Sequence, residues 1–68
     1  MIDLVKFGTL VKKKRKEFNL SQTDCAKMLG FTTSYICKIE NAKAKPTLQT
    51  IEQISKKIGV KIDIFFET

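Results

Sequence analysis

The chain lacks histidine and tryptophan altogether, and its 68 residues include one proline, three glycines and two cysteines. Without histidine, Cys25 and Cys37 cannot supply the four ligands of a structural zinc site, so no metal is expected. Paired carboxylates and a glycine-rich phosphate loop are missing too, which argues against an enzyme and against a cofactor. No apolar run approaches the roughly 18 residues needed to cross a bilayer, and Met1-Ile2-Asp3-Leu4-Val5-Lys6 lacks the basic-then-apolar order of a signal peptide. A cytoplasmic protein without a membrane partner is expected. Thiols stay reduced in that compartment, so both cysteines read as small packed side chains rather than a disulfide.

Acidic residues are also scarce: 13 Lys and Arg stand against 7 Asp and Glu, a net charge of +6. The excess is uneven, with ten basic and four acidic residues before position 46 and three of each after it. A cationic surface suits a polyanion, because Lys and Arg release the counterions condensed on nucleic acid. With 43% apolar and 29% charged residues the composition is that of a folded domain. The length allows one domain, residues 1–68. A fold of this size buries only about 60% of the surface its unfolded chain exposes, so burial against a partner subunit would help it.

Apolar residues recur at helical spacing between Leu4 and Phe18, at Leu4, Phe7, Val11 and Phe18, which predicts a first helix. Its outer half carries Lys12, Lys13, Lys14, Arg15 and Lys16, and Asn19 supplies an end signal because asparagine tolerates the left-handed conformation. Ser21 followed by Asp24 resembles a capping box and starts a second helix with Cys25, Ala26 and Leu29 inward, stopped by Gly30. Thr32 can cap a third helix, to about Glu40, that buries Ile36 and Ile39 and leaves Thr33, Ser34, Tyr35, Cys37 and Lys38 as its remaining surface. A loop follows from Asn41 to Pro46. Thr47 then caps a fourth helix with Leu48, Ile51, Ile54 and Ile58 on one face, ended by Gly59. The tail from Val60 to Phe66 alternates as a strand would, yet also fits one short helical turn. The helix is preferred, since a lone strand would lack a pairing partner.

Two short helices around Gly30, over about residues 21–40, fit a helix-turn-helix unit, whose second helix can enter the major groove. The chain resembles the lambda-repressor-like, XRE-type (Cro/CI) family through Leu20-Ser21-Gln22, Ala26, Leu29-Gly30, Ile36, Ile39-Glu40-Asn41 and Pro46. Phe7-Gly8, Val11 and Arg15 upstream match as well, as do Leu48, Ile51, Ile54, Ile58-Gly59-Val60 and Phe65 downstream. The resemblance implies an all-α, five-helix DNA-binding domain. It places base reading on Thr33, Ser34 and Lys38, with Thr32, Tyr35 and Cys37 on the rim. It places a phosphate clamp on Gln22 and phosphate contacts on Asn41, Lys43 and Lys45, and it joins Arg15 to Glu40 in a salt bridge. The chemistry suits these roles: Lys38 can donate to guanine O6 or N7, and threonine and serine hydroxyls serve several bases. The sequence departs from the family at Cys25, where leucine is usual, and at Ala42, where glycine is usual. Ala42 puts the loop geometry in doubt, because alanine is strained at positive φ.

The tail, about residues 60–68, is richer in apolar residues than a closing helix needs, so Ile62, Ile64, Phe65 and Phe66 are expected to form a homodimer interface. A two-fold dimer would read a pseudo-palindromic operator of double-stranded DNA. The resemblance extends to restriction–modification controllers, phage-type repressors and antitoxins, and leaves open whether the protein blocks RNA polymerase or touches it. The rival function is a protein-interaction module that binds another regulator through the apolar tail. The basic run, Gln22 and the polar Thr33–Lys38 surface argue against it.

Overall fold

Four short polar side chains start four helices. In the computed structural model, which describes residues 2–61 and 65, these are α1 (Leu4–Glu17), α2 (Gln22–Leu29), α3 (Thr33–Glu40) and α4 (Leu48–Ile58). The Asp3 side chain accepts from the Lys6 N–H, Ser21 from Asp24, Thr32 from Tyr35 and Thr47 from Thr50, at 2.9 to 3.2 Å. Each cap satisfies one backbone donor that has no partner within its own helix. Ser21, Thr32 and Thr47 are where the sequence places them, and Asp3 is an additional cap. At the other ends, Asn19 (φ 57°) follows α1 and Gly30 (φ 80°) follows α2 in the left-handed conformation. Gly30 thus makes the tight turn between α2 and α3 that a side chain would strain.

The core gathers Phe7 and Val11 from α1, Cys25, Ala26 and Leu29 from α2, Ile36 and Ile39 from α3, and Ile51, Ile54 and Ile58 from α4, all buried. Helix α3 packs on both α1 and α2, and α4 packs on α1. Gly8 sets how closely α1 approaches α3: a Cβ there would collide with the Ile39 carbonyl oxygen and lie 3.1 Å from that of Glu40. The role of Gly8 is tertiary, the admission of one backbone against another.

Several expectations need correction. Phe18 is 53% exposed rather than on the core face of α1. The helix ends at Glu17, and the last inward position of α1 is taken by Arg15, paired with Glu40. Leu48 is 52% exposed, because it opens α4 one turn before the first buried position, Ile51. Phe65, expected on the dimer surface, is fully buried in the chain's own core, edge-on to Phe7 with ring centroids 5.0 Å apart. The Phe65 backbone also has a partner at the other end of the chain, since the Asp3 N–H donates to the Phe65 carbonyl at 2.6 Å. Of the expected fifth helix, Val60 and Lys61 are not helical, and Ile62, Ile64 and Phe66 lie outside the described residues. Among those described, the architecture is all-α with four helices.

Candidate nucleic-acid interface

A helix that buries Ile36 and Ile39 must turn positions 34, 37, 38 and 41 the other way, because those lie more than a third of a turn round the axis, while Thr33 lies about a quarter turn away at the first position of the helix. Thr33, Ser34, Lys38 and Asn41 are exposed and Cys37 is half-buried. Of the three expected base readers, Ser34 and Lys38 therefore share one open face, and Thr33 is exposed at its N-terminal edge. Tyr35 is half-buried at its edge, with its ring 5.1 Å from that of Phe31.

Behind this face lies a buried polar cluster. Arg15 Nε donates to Glu40 Oε2 at 2.7 Å, Nη2 to Oε1 at 3.2 Å, and Nη1 to the Leu20 carbonyl at 2.8 Å. The Glu40 side chain is 2% exposed, so its charge is compensated almost wholly by protein groups. The hydrogen bond to Glu40 pushes the Arg15 pKa up, against the lowering effect of burial. The guanidinium is thus a permanent cation tying the end of α1 to the end of α3 and to the residue before α2's cap.

Gln22 joins the same cluster, its Nε2 donating to Glu40 Oε1 at 3.2 Å. That bond turns one N–H of the amide inward and leaves the other for an external acceptor. The loop after α3 is folded back on it. The backbone N–H groups of Lys43 and Ala44 both donate to the Lys38 carbonyl, at 2.8 and 3.3 Å, and the Asn41 Nδ2 donates to the Cys37 carbonyl at 2.9 Å. The loop's backbone donors at 43 and 44 are therefore engaged internally, and its cationic contribution is the exposed side chains of Lys43 and Lys45. Ala42 holds φ 57°, so the turn departs from right-handed geometry despite its side chain.

A residue that sequence reasoning missed sits beside Gln22. Thr23 Oγ1 accepts a hydrogen bond from Thr33 Oγ1 at 3.2 Å, linking the first turns of α2 and α3. Nothing in local spacing marks it, since the bond spans ten positions and depends on how the two helices meet. Among the described residues no three His, Cys, Asp or Glu side chains gather as metal ligands, and no helix is long and apolar enough to cross a membrane.

Residues 11–65 match the Helix-turn-helix family model. Over 64 residues the chain is 39% identical to the ImmF control region 10 kDa protein of Bacillus phage phi105, covering 94% of this chain and 71% of the relative. It is 35% identical over 63 residues to the control protein C.MunI of Mycoplasma sp, covering 91% and 85%. Its fold superposes on the restriction-modification controller protein C.AhdI from Aeromonas hydrophila with a TM-score of 0.76 at 28% identity, over 94% of this chain and 93% of that one. The restriction-modification controller C.Esp1396I, solved as a tetramer with its natural 35 base-pair operator, superposes with a TM-score of 0.75 at 32% identity, over 93% and 83%.

Proposed function

The chain belongs to the helix-turn-helix family and is a sequence-specific DNA-binding transcriptional regulator, and from that premise we propose that it binds a pseudo-palindromic operator as a homodimer, laying α3 in the major groove. Thr33, Ser34 and Lys38 read base edges. Thr32, Tyr35 and Cys37 line the rim, and Gln22, Asn41, Lys43 and Lys45 face phosphates. The observation that carries this reading is the exposed polar face of α3 that Ser34 and Lys38 form opposite Ile36 and Ile39, with exposed Thr33 at its N-terminal edge. Side chains of this kind donate to and accept from base edges, whereas Lys43 and Lys45 add the sequence-independent attraction to the backbone.

A fifth helical turn in the tail after Lys61 closes the domain, and Ile62, Ile64 and Phe66 join two chains. The two-fold dimer holds its reading helices about 34 Å apart, one turn of DNA. The assembly of C.Esp1396I on its operator supports a multimeric reading for a protein of this fold. The regulator acts in the cytoplasm, by occluding RNA polymerase or by touching it.

The test combines operator selection from a random DNA pool with sedimentation of protein alone and on the selected duplex. Inverted half-sites about 10 base pairs apart, with a dimeric mass at micromolar concentration, support the proposal. A monomeric mass in both states would remove the dimer. Enrichment of no sequence would point instead to a protein partner.

A further inference from the structure

The residues that cap α2 and α3 have their side-chain oxygens engaged by their own helices: Ser21 Oγ accepts from Asp24 and Thr32 Oγ1 from Tyr35. The hydroxyls next to them on the exposed surface are Thr23, at the second position of α2, and Thr33, at the first position of α3. These two meet. Thr33 Oγ1 donates to Thr23 Oγ1 at 3.2 Å across the turn.

A threonine hydroxyl has one proton and two lone pairs. With its proton directed at Thr23, Thr33 offers only lone pairs to whatever lies in front of α3. Thr23, as the acceptor of that bond, retains its own proton for a second partner. Thr23 lies in the first turn of α2, where the N–H groups of Gln22 and Thr23 have no carbonyl within the helix. Such an edge rich in donors suits a phosphate oxygen.

We infer that Thr23 is a positioning residue that determines specificity: it holds Thr33 as a pure acceptor, so that Thr33 selects a base whose exocyclic amine lies in the major groove, adenine or cytosine, on the strand it faces. In the major groove adenine N6 and cytosine N4 donate, whereas guanine O6 and thymine O4 would set lone pair against lone pair. Thr23 in turn donates its proton to a phosphate oxygen, so DNA binding itself fixes the direction of the chain Thr33 to Thr23 to phosphate. A free Thr33 hydroxyl would rotate to donate or accept and would tolerate all four bases. The inference rests on the reading of Thr33 as a base contact.

Operator selection from a random pool with the wild type, Thr23→Val, Thr23→Ser and Thr33→Val tests it. Valine keeps the branched shape and removes the hydroxyl, while serine keeps the hydroxyl. The wild type and Thr23→Ser are expected to select adenine or cytosine at one position of each half-site. Thr23→Val is expected to accept all four bases at that position, to bind the wild-type operator roughly three- to tenfold more weakly, and to leave every other position unchanged. Thr23→Val selecting the same bases as the wild type, while Thr33→Val relaxes the position, would overturn the role of Thr23 and keep Thr33 as a base contact. Thr33→Val leaving every position unchanged would overturn both.

Discussion

Arg15 Nε lies 2.7 Å from Glu40 Oε2, joining residues 25 positions apart and fastening the end of α1 to the end of α3. The carboxylate is almost fully buried, so removing it leaves a guanidinium without its counter-charge and Gln22 Nε2 without its acceptor. Glu40→Ala is therefore expected to lower stability by about 3 kcal/mol and to weaken operator binding although Glu40 does not face DNA. Thermal melting and a binding isotherm check this. A variant with unchanged melting temperature and affinity would contradict it.

Gly8→Ala should destabilise, against the trend for an interior helical glycine. Helix propensity alone would favour alanine by about 1 kcal/mol. The added methyl, however, meets the backbone carbonyls of Ile39 and Glu40, which cannot move without displacing α3. Overpacking of this kind costs roughly 1–3 kcal/mol, so a net loss is expected in denaturant unfolding, together with weaker DNA binding. A stabilised Gly8→Ala would mean that α1 and α3 can separate freely.

Ser55→Ala should stabilise. The Ser55 hydroxyl is 2% exposed and has no hydrogen-bond partner among the described residues, while its neighbours on the same face of α4 are Ile51, Ile54 and Ile58. Removing a buried donor that makes no bond, at a position where alanine also favours the helix, is expected to add about 1 kcal/mol. Urea unfolding with an unchanged m-value reads it directly; a loss of stability would show that the hydroxyl is satisfied in solution.

The two thiols should behave differently. Burial, chiefly, and then Glu40 push the Cys25 pKa up, with Arg15 opposing. A folded-state pKa above the unfolded one gives stability that is complete below the unfolded value, about 8.5, and is lost as pH rises toward the folded value. Between neutral pH and about pH 10 the wild type should therefore lose more stability than Cys25→Ala. A thiol reagent should label half-buried Cys37 in the native protein and reach Cys25 only on unfolding. Equal labelling rates would contradict this placement.

Much of the fold was legible because it is locally written. Ser21, Thr32 and Thr47 mark helix starts by chemistry that acts within three residues, and Ile36 with Ile39 fixes which side of α3 faces out. Arg15 and Glu40 were paired through a family resemblance rather than through any local signal. The misses are matters of ends and of tertiary approach. Phe18 and Leu48 carry helical spacing past the point where the core stops, and Phe65 reads as surplus apolar surface until Phe7 is seen against it. The engagement of the Lys43 and Ala44 N–H groups by Lys38, like the Thr23–Thr33 bond, follows from a chain path that periodicity does not encode.

Base reading by α3 is tested most directly by repeating operator selection with Lys38→Ala at two salt concentrations. Direct readout requires that the variant lose discrimination at one base pair of each half-site, by roughly 1–3 kcal/mol, with the salt dependence of binding nearly unchanged. Unaltered base preference, with a shallower salt slope as the only effect, would make Lys38 a phosphate contact and contradict the assignment of α3 as the reading helix through this residue.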